Sequence, residues 1–190
     1  MRWFTIPSSL LVAALAMSLC SASHVDAAAH QLEAKGTYVH EPSRRRFPEQ
    51  VGDFKREKVL QYDEAGRDIS VGYNLETADR LIAATMYVYP LAGQTFGDEL
   101  SEVQRAHANT QVAFEQQLTL DREPKHQACR MAGLSYEETF AHRYGPVTSY
   151  LLVCDDPPWR LKWRFTHLPT SDKNINQVMK DLATALTVGE

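Results

Sequence analysis

The chain has 190 residues, of which 44% are hydrophobic and 23% charged, and its formal net charge is -4. That composition is too apolar for a disordered protein, and the length is too short for several large domains. A negative net charge excludes a whole-molecule attraction to nucleic acid or to an anionic membrane surface, so any such attraction has to be local.

Arg2 precedes an apolar run from Leu10 to Cys20, and small residues follow it. Residues 1–29 therefore read as a secretory signal peptide, with Ala27, Ala28 and Ala29 supplying an A-x-A cleavage site. The run falls short of the roughly 20 apolar residues that a membrane-crossing helix needs, and no later segment is a candidate span. Cys20 lacks the small preceding residue of a lipid-attachment site, because Leu19 stands there. The expected destination is the periplasm or the exterior. Cys129 and Cys154 remain beyond the leader, an even number that suits a disulfide in an oxidising compartment. Two buried thiols on neighbouring strands would leave the same sequence.

Residues 30–50 carry Pro42, Pro48 and the triplet Arg44-Arg45-Arg46 without a sustained period, and read as an extended N-terminal arm with strand character at Thr37 to His40. Residues 51–190 are expected to form one α+β domain. A hairpin is predicted from Arg56 to Leu75 about the turn Asp63-Glu64-Ala65-Gly66, with Ile69, Val71, Tyr73 and Leu75 facing the core. Leu81 to Tyr89 is apolar almost throughout and is predicted as a central strand covered on both faces. After Pro90, Gly93 and Gly97, a helix is predicted from Asp98 to Leu118, because Leu100, Val103, His107, Phe114 and Leu118 recur at helical spacing. Three strands follow: Gln127 to Arg143 with an interruption near Gly133, Val147 to Cys154, and Trp159 to His167. Gly145-Pro146 and Asp155-Asp156-Pro157-Pro158 are read as their turns. A last helix is predicted from about Asp172 to Leu186, striped by Ile175, Val178, Met179, Leu182 and Leu186 and capped by Ser171 or Asp172. The expected class is α+β: a mainly antiparallel sheet, a helix after the third strand, and a C-terminal helix packed on the sheet.

Three segments, Val51-Gly52-Asp53-Phe54-Lys55-Arg56, Asp68-Ile69-Ser70-Val71-Gly72-Tyr73 and Ala84-Thr85-Met86-Tyr87-Val88-Tyr89-Pro90, together resemble a group of exported bacterial proteins. Their layout is similar to the PsbP-like fold, named after an extrinsic subunit of photosystem II. The resemblance spans residues 47–188 and implies a non-enzymatic docking or assembly module. It carries no photosystem contact and no metal ligand onto any residue here, and fold alone does not specify function.

Nucleophile-elbow, zincin, phosphate-loop, dinucleotide and C-x-x-C signatures are all missing. Cys129 and His142 are thirteen apart, as are Cys154 and His167, while His126 stands three before Cys129. Odd separations put strand partners on opposite faces, which argues against a metal site or a Cys-His nucleophile. His107, inside the apolar stripe, reads as a half-buried core histidine. The strand Trp159-Arg160-Leu161-Lys162-Trp163-Arg164-Phe165 places its aromatic and aliphatic residues on one face and Arg160, Lys162 and Arg164 on the other. That basic face is either a binding surface or a row paired with carboxylates such as Glu137. Arg44, Arg45 and Arg46 raise the same alternative.

No catalytic residue, cofactor or metal is expected. The leading expectation is an exported binding or assembly module for a protein or an anionic small molecule, with no nucleic-acid partner. The alternatives are a small exported hydrolase or metal-dependent enzyme using His107, His126 or His142, and a lipid or small-ligand carrier. The carrier requires an apolar cavity between sheet and helices.

Overall fold

The computed structural model describes residues 29–78, 80–122, 125–170 and 174–187. The predicted signal peptide up to residue 28 and the predicted helix caps Ser171 and Asp172 lie outside the described residues. The elements run β1 His30–Leu32, β2 Tyr38–His40, β3 Arg45–Phe47, β4 Gln50–Val51, β5 Phe54–Gln61, β6 Ile69–Glu76, β7 Leu81–Pro90, α1 Phe96–Ala106, β8 Gln111–Arg122, β9 Lys125–Phe140, β10 Arg143–Asp156, β11 Trp159–His167 and α2 Ile175–Thr187. One antiparallel sheet takes the order β1-β5-β6-β7-β11-β10-β9-β8, with β4 added to β5, while β2 and β3 pair as a separate hairpin.

The β5–β6 hairpin follows from local chemistry. Asp63 Oδ1 accepts the backbone N–H groups of Arg67 and Asp68 at 2.7 and 3.0 Å, and Gly66 supplies a positive φ of 64°. Beyond the turn, Ile69, Val71, Tyr73 and Leu75 are buried as their alternation requires. They meet Val88, Met86, Ala84 and Ile82 of β7 in register. The next strand, β11, continues the layer with Leu161, Trp163 and Phe165. Over it lie α2, through Ile175, Met179, Leu182, Ala183 and Leu186, and Phe47 of the β2–β3 hairpin. Burial of each such side chain stabilises the fold by about 1.5–3 kcal/mol. The N-terminal arm is therefore strand-bearing and contributes to the core.

The opposite face holds a second, smaller core. Phe96, Leu100 and Val103 of α1 pack on Ala132, Leu134 and Tyr136 of β9 and on Val147, Leu151 and Val153 of β10. A capping box starts α1: Thr95 accepts from the Asp98 backbone while the Asp98 side chain accepts from the Thr95 N–H.

The expected helix position is overturned. No helix follows the third strand; β3 leads directly into β4, and α1 comes only after β7. It also ends at Ala106, so the residues expected as its second half form β8. Two physical causes operate. The C-cap His107 is already extended, at φ -126° and ψ 112°, which ends the helix, and Asn109 then turns the chain with a left-handed φ of 59°. Phe114 and Leu118, four apart, also satisfy period two, so the spacing that reads as a helical stripe serves a strand equally well, and Leu120 continues only the strand. Further east along the sheet, β9 runs unbroken through Gly133, and the turn into β10 is Ala141-His142, both at positive φ. Gly145 and Pro146 lie inside β10, opposite Glu138 and Glu137. In β7, Ile82, Ala84, Met86 and Val88 are buried, but Ala83, Thr85, Tyr87 and Tyr89 are only half-buried, so one face of this central strand is not fully covered.

Cys129 and Cys154 stand directly opposite each other on β9 and β10 and form a disulfide, with Cα atoms 4.3 Å apart. No described helix is long and apolar enough to cross a membrane.

Candidate functional site

The six basic candidates do not form an open cationic surface. Arg160, 4% exposed, donates through Nε and Nη2 to the two carboxylate oxygens of Asp155 at 2.7 and 3.1 Å, and its Nη1 lies 3.6 Å from Glu99. Lys162 Nζ sits 3.0 Å from Glu99 and 3.1 Å from Glu102. The carboxylates come from α1 and β10 rather than from Glu137, which instead accepts from the exposed Tyr144 hydroxyl at 3.1 Å. Burial pushes the Lys162 ammonium down, but its bonds to Glu99 and Glu102 outweigh this and leave it above its ordinary value. Arg164 donates to the Tyr136 hydroxyl at 2.9 Å and to Ser149 at 3.4 Å. On the β2–β3 hairpin, Arg45 is buried and paired with Asp156, Arg44 is exposed and paired with Glu41 at 2.9 Å, and Arg46 is exposed.

Of the candidate histidines, His107 is likewise absorbed by structure. His107 forms the C-cap of α1 and stacks on Tyr136 with ring centroids 4.1 Å apart, where burial lowers its pKa. His142 is exposed in the β9–β10 turn. The side chain of His126 lies outside the described residues. Among those residues, no three His, Cys, Asp or Glu side chains group so as to hold a metal ion.

Near Lys162, burial first and then the neighbouring Asp63 carboxylate raise the Asp68 carboxyl to about 6. An unfolded aspartate titrates near 3.9, so the folded state binds the extra proton between these values. Stability should therefore fall as pH rises from about 4 to about 6 and level off above. Asp68→Asn should remove that slope and, after discounting for partial exposure, add about 1 kcal/mol at pH 7. Urea melts from pH 4 to pH 8 check this; parallel pH profiles for the two proteins would contradict it.

An apolar groove of about 430 Å³ lies between the sheet and α2. Phe114, Leu118 and Leu120 of β8, Met131 of β9, Leu152 of β10 and Phe165 of β11 form one wall, and Met179 and Ala183 of α2 form the other. Phe114 is 38% exposed, while Leu120, Leu152, Phe165, Met179 and Ala183 are buried, so the groove has an accessible mouth and a core-like floor. The Phe114 ring lies over Gly133 so closely that a Cβ there would stand 2.3 Å from its Cε1. Only glycine admits the ring in that place. Lys180 is the sole charged side chain among the described residues lining the groove.

No family model matches this chain, and neither does any curated protein. The groove therefore stands on its own chemistry.

A larger cleft of about 940 Å³ opens beside the N-terminus of α1, lined by Thr95, Gln127, Asp155, Asp156 and Arg160 among others. Its charges are already bonded within the protein, Arg160 to Asp155 and Arg45 to Asp156. Sequence reasoning missed the groove residues of β8 because they were assigned to a helix. Their alternation with Glu115, Gln117 and Thr119 is the signal that reveals them.

Proposed function

We propose that this chain is an exported, non-enzymatic binding protein that holds an amphiphile, its aliphatic tail in the groove beneath α2 and its anionic head at Lys180. The observation that carries the reading is the partly open apolar groove, whose volume lies within the usual range of about 300–1,000 Å³ for small-ligand sites. Mostly apolar walls, with Gln116, Thr119 and Asn176 as their uncharged polar members and Lys180 as the one cation among the described lining residues, suit a ligand that is apolar over most of its length and negative at one end. The signal-peptide pattern ahead of Ala29 and the Cys129–Cys154 disulfide both support export.

Titration calorimetry with dodecanoate and dodecanol tests it. The unmodified protein should bind both. Lys180→Glu should weaken dodecanoate about tenfold, which corresponds to about 1.4 kcal/mol, and leave dodecanol unchanged. Absence of heat or probe displacement with either compound would remove the proposal.

A further inference from the structure

We propose that the free edge of β8 pairs with the same edge of a second copy of this chain, antiparallel and centred on Gln116, so that two sheets join into one. Among the described residues, β8 pairs with β9 alone, which leaves one side of a twelve-residue strand open. The other end of the sheet closes with the three-residue β1 and the two-residue β4. Short edges of that kind are a common defence against unwanted pairing, and lysine, proline and bulges are others. From Phe114 to Leu120 the β8 edge has no lysine and no proline, and its bulge lies before Phe114.

The backbone is oriented for such pairing. A Cα separation of 4.3 Å between Cys129 and Cys154 marks a non-hydrogen-bonded pair, for which about 4.5 Å is usual. The Cys129 amide and carbonyl therefore turn away from β10 towards β8, where Leu118 is the opposite residue. Leu118, Gln116 and Phe114 then spend their backbone groups on β9, and Glu115, Gln117 and Thr119 point theirs out of the sheet. In the register centred on Gln116, Glu115 and Gln117 of one copy face Gln117 and Glu115 of the other, and these outward groups meet.

The side chains agree with that register. Phe114, one of the exposed large apolar residues, faces Leu118 of the second copy, and Gln116 faces itself. The single charge on the segment, Glu115, is paired with Arg130 of its own chain at 3.2 Å and meets a glutamine. No like charges oppose each other. The edge is thus complementary to itself, which favours a second copy over an unrelated strand.

Sedimentation and light scattering of the purified protein should show a dimer. Gln117→Pro removes an N–H that β9 does not use, so the monomer should keep its circular dichroism spectrum while dimerisation falls at least tenfold. Gln116→Lys, which places two cations across the two-fold axis, should do the same at low salt should the proline variant misfold. Gln116→Cys should cross-link two copies on mild oxidation, since a disulfide tolerates Cα atoms 4.4–6.8 Å apart. Gln117→Cys should not. A monomer at all concentrations, a dimer unaffected by both edge variants, or a dimer without the Gln116→Cys cross-link would each overturn the proposal. Phe114, Gln116 and Leu118 also line the groove, whereas Gln117 does not, so dodecanoate binding measured on the Gln117→Pro variant separates the two readings.

Discussion

Glu99→Ala should lower the unfolding free energy by about 3–5 kcal/mol, the cost typical of removing one partner from a buried ion pair. Glu99 is 4% exposed and serves three groups: it accepts from the Tyr89 hydroxyl, holds Lys162 Nζ at 3.0 Å and lies 3.6 Å from Arg160. Without it, Lys162 keeps Glu102 and Arg160 keeps Asp155, but the Tyr89 hydroxyl loses its acceptor and two largely buried cations face each other with less negative charge between them. The contrast is Glu102, whose side chain is 61% exposed. Glu102→Ala should cost less than about 1 kcal/mol, as surface pairs do. Urea titrations of both variants decide the matter, and equal losses would show that the network is not centred on Glu99.

The second large effect concerns the disulfide. Cys129 and Cys154 are 25 residues apart, and closing a loop of that size in the unfolded chain is worth about 3–4 kcal/mol. The Cys129→Ser, Cys154→Ser double variant should therefore unfold at a markedly lower urea concentration than the oxidised protein, and added reductant should move the unmodified protein to the same midpoint. Peptide mapping of unreduced, denatured protein should find neither cysteine reactive towards a thiol reagent. An unchanged midpoint together with two labelled cysteines would contradict the bond.

Particular elements show how far local pattern reached. The alternation of Ile69, Val71, Tyr73 and Leu75 specifies β6, and that of Leu161, Trp163 and Phe165 specifies the core side of β11, because period two together with β-branched and aromatic residues has one economical solution. The C-terminal helix was likewise legible from its stripe, of which Ile175, Met179, Leu182 and Leu186 are buried. The segment after His107 was not legible, since Phe114 and Leu118 fit two periods and only docking against β9 chooses between them. In the sequence Gly133 reads as a break, because glycine weakens a strand considered by itself. In the folded chain it makes room for the Phe114 ring.

The groove and the basic row share one reason for staying hidden. A strand reports which residues share its face, yet nothing in its own spacing tells what will lie over that face. That Arg160 and Lys162 meet Glu99, and that Phe114 and Leu118 share a groove with Met179, depends on where α1 and α2 come to rest.

By itself, then, the order of residues determined the alternating strands, the C-terminal amphipathic helix and the pair of cysteines available for bonding, because each depends on periodicity or chemistry within a short stretch. Tertiary structure alone decided that residues 111–122 extend, that Arg160 and Lys162 of β11 are paired with carboxylates, and that among the described residues a long strand edge and an apolar groove remain uncovered. These are outcomes of packing between segments distant in the chain, where burial and charge pairing outweigh what any segment prefers when considered separately.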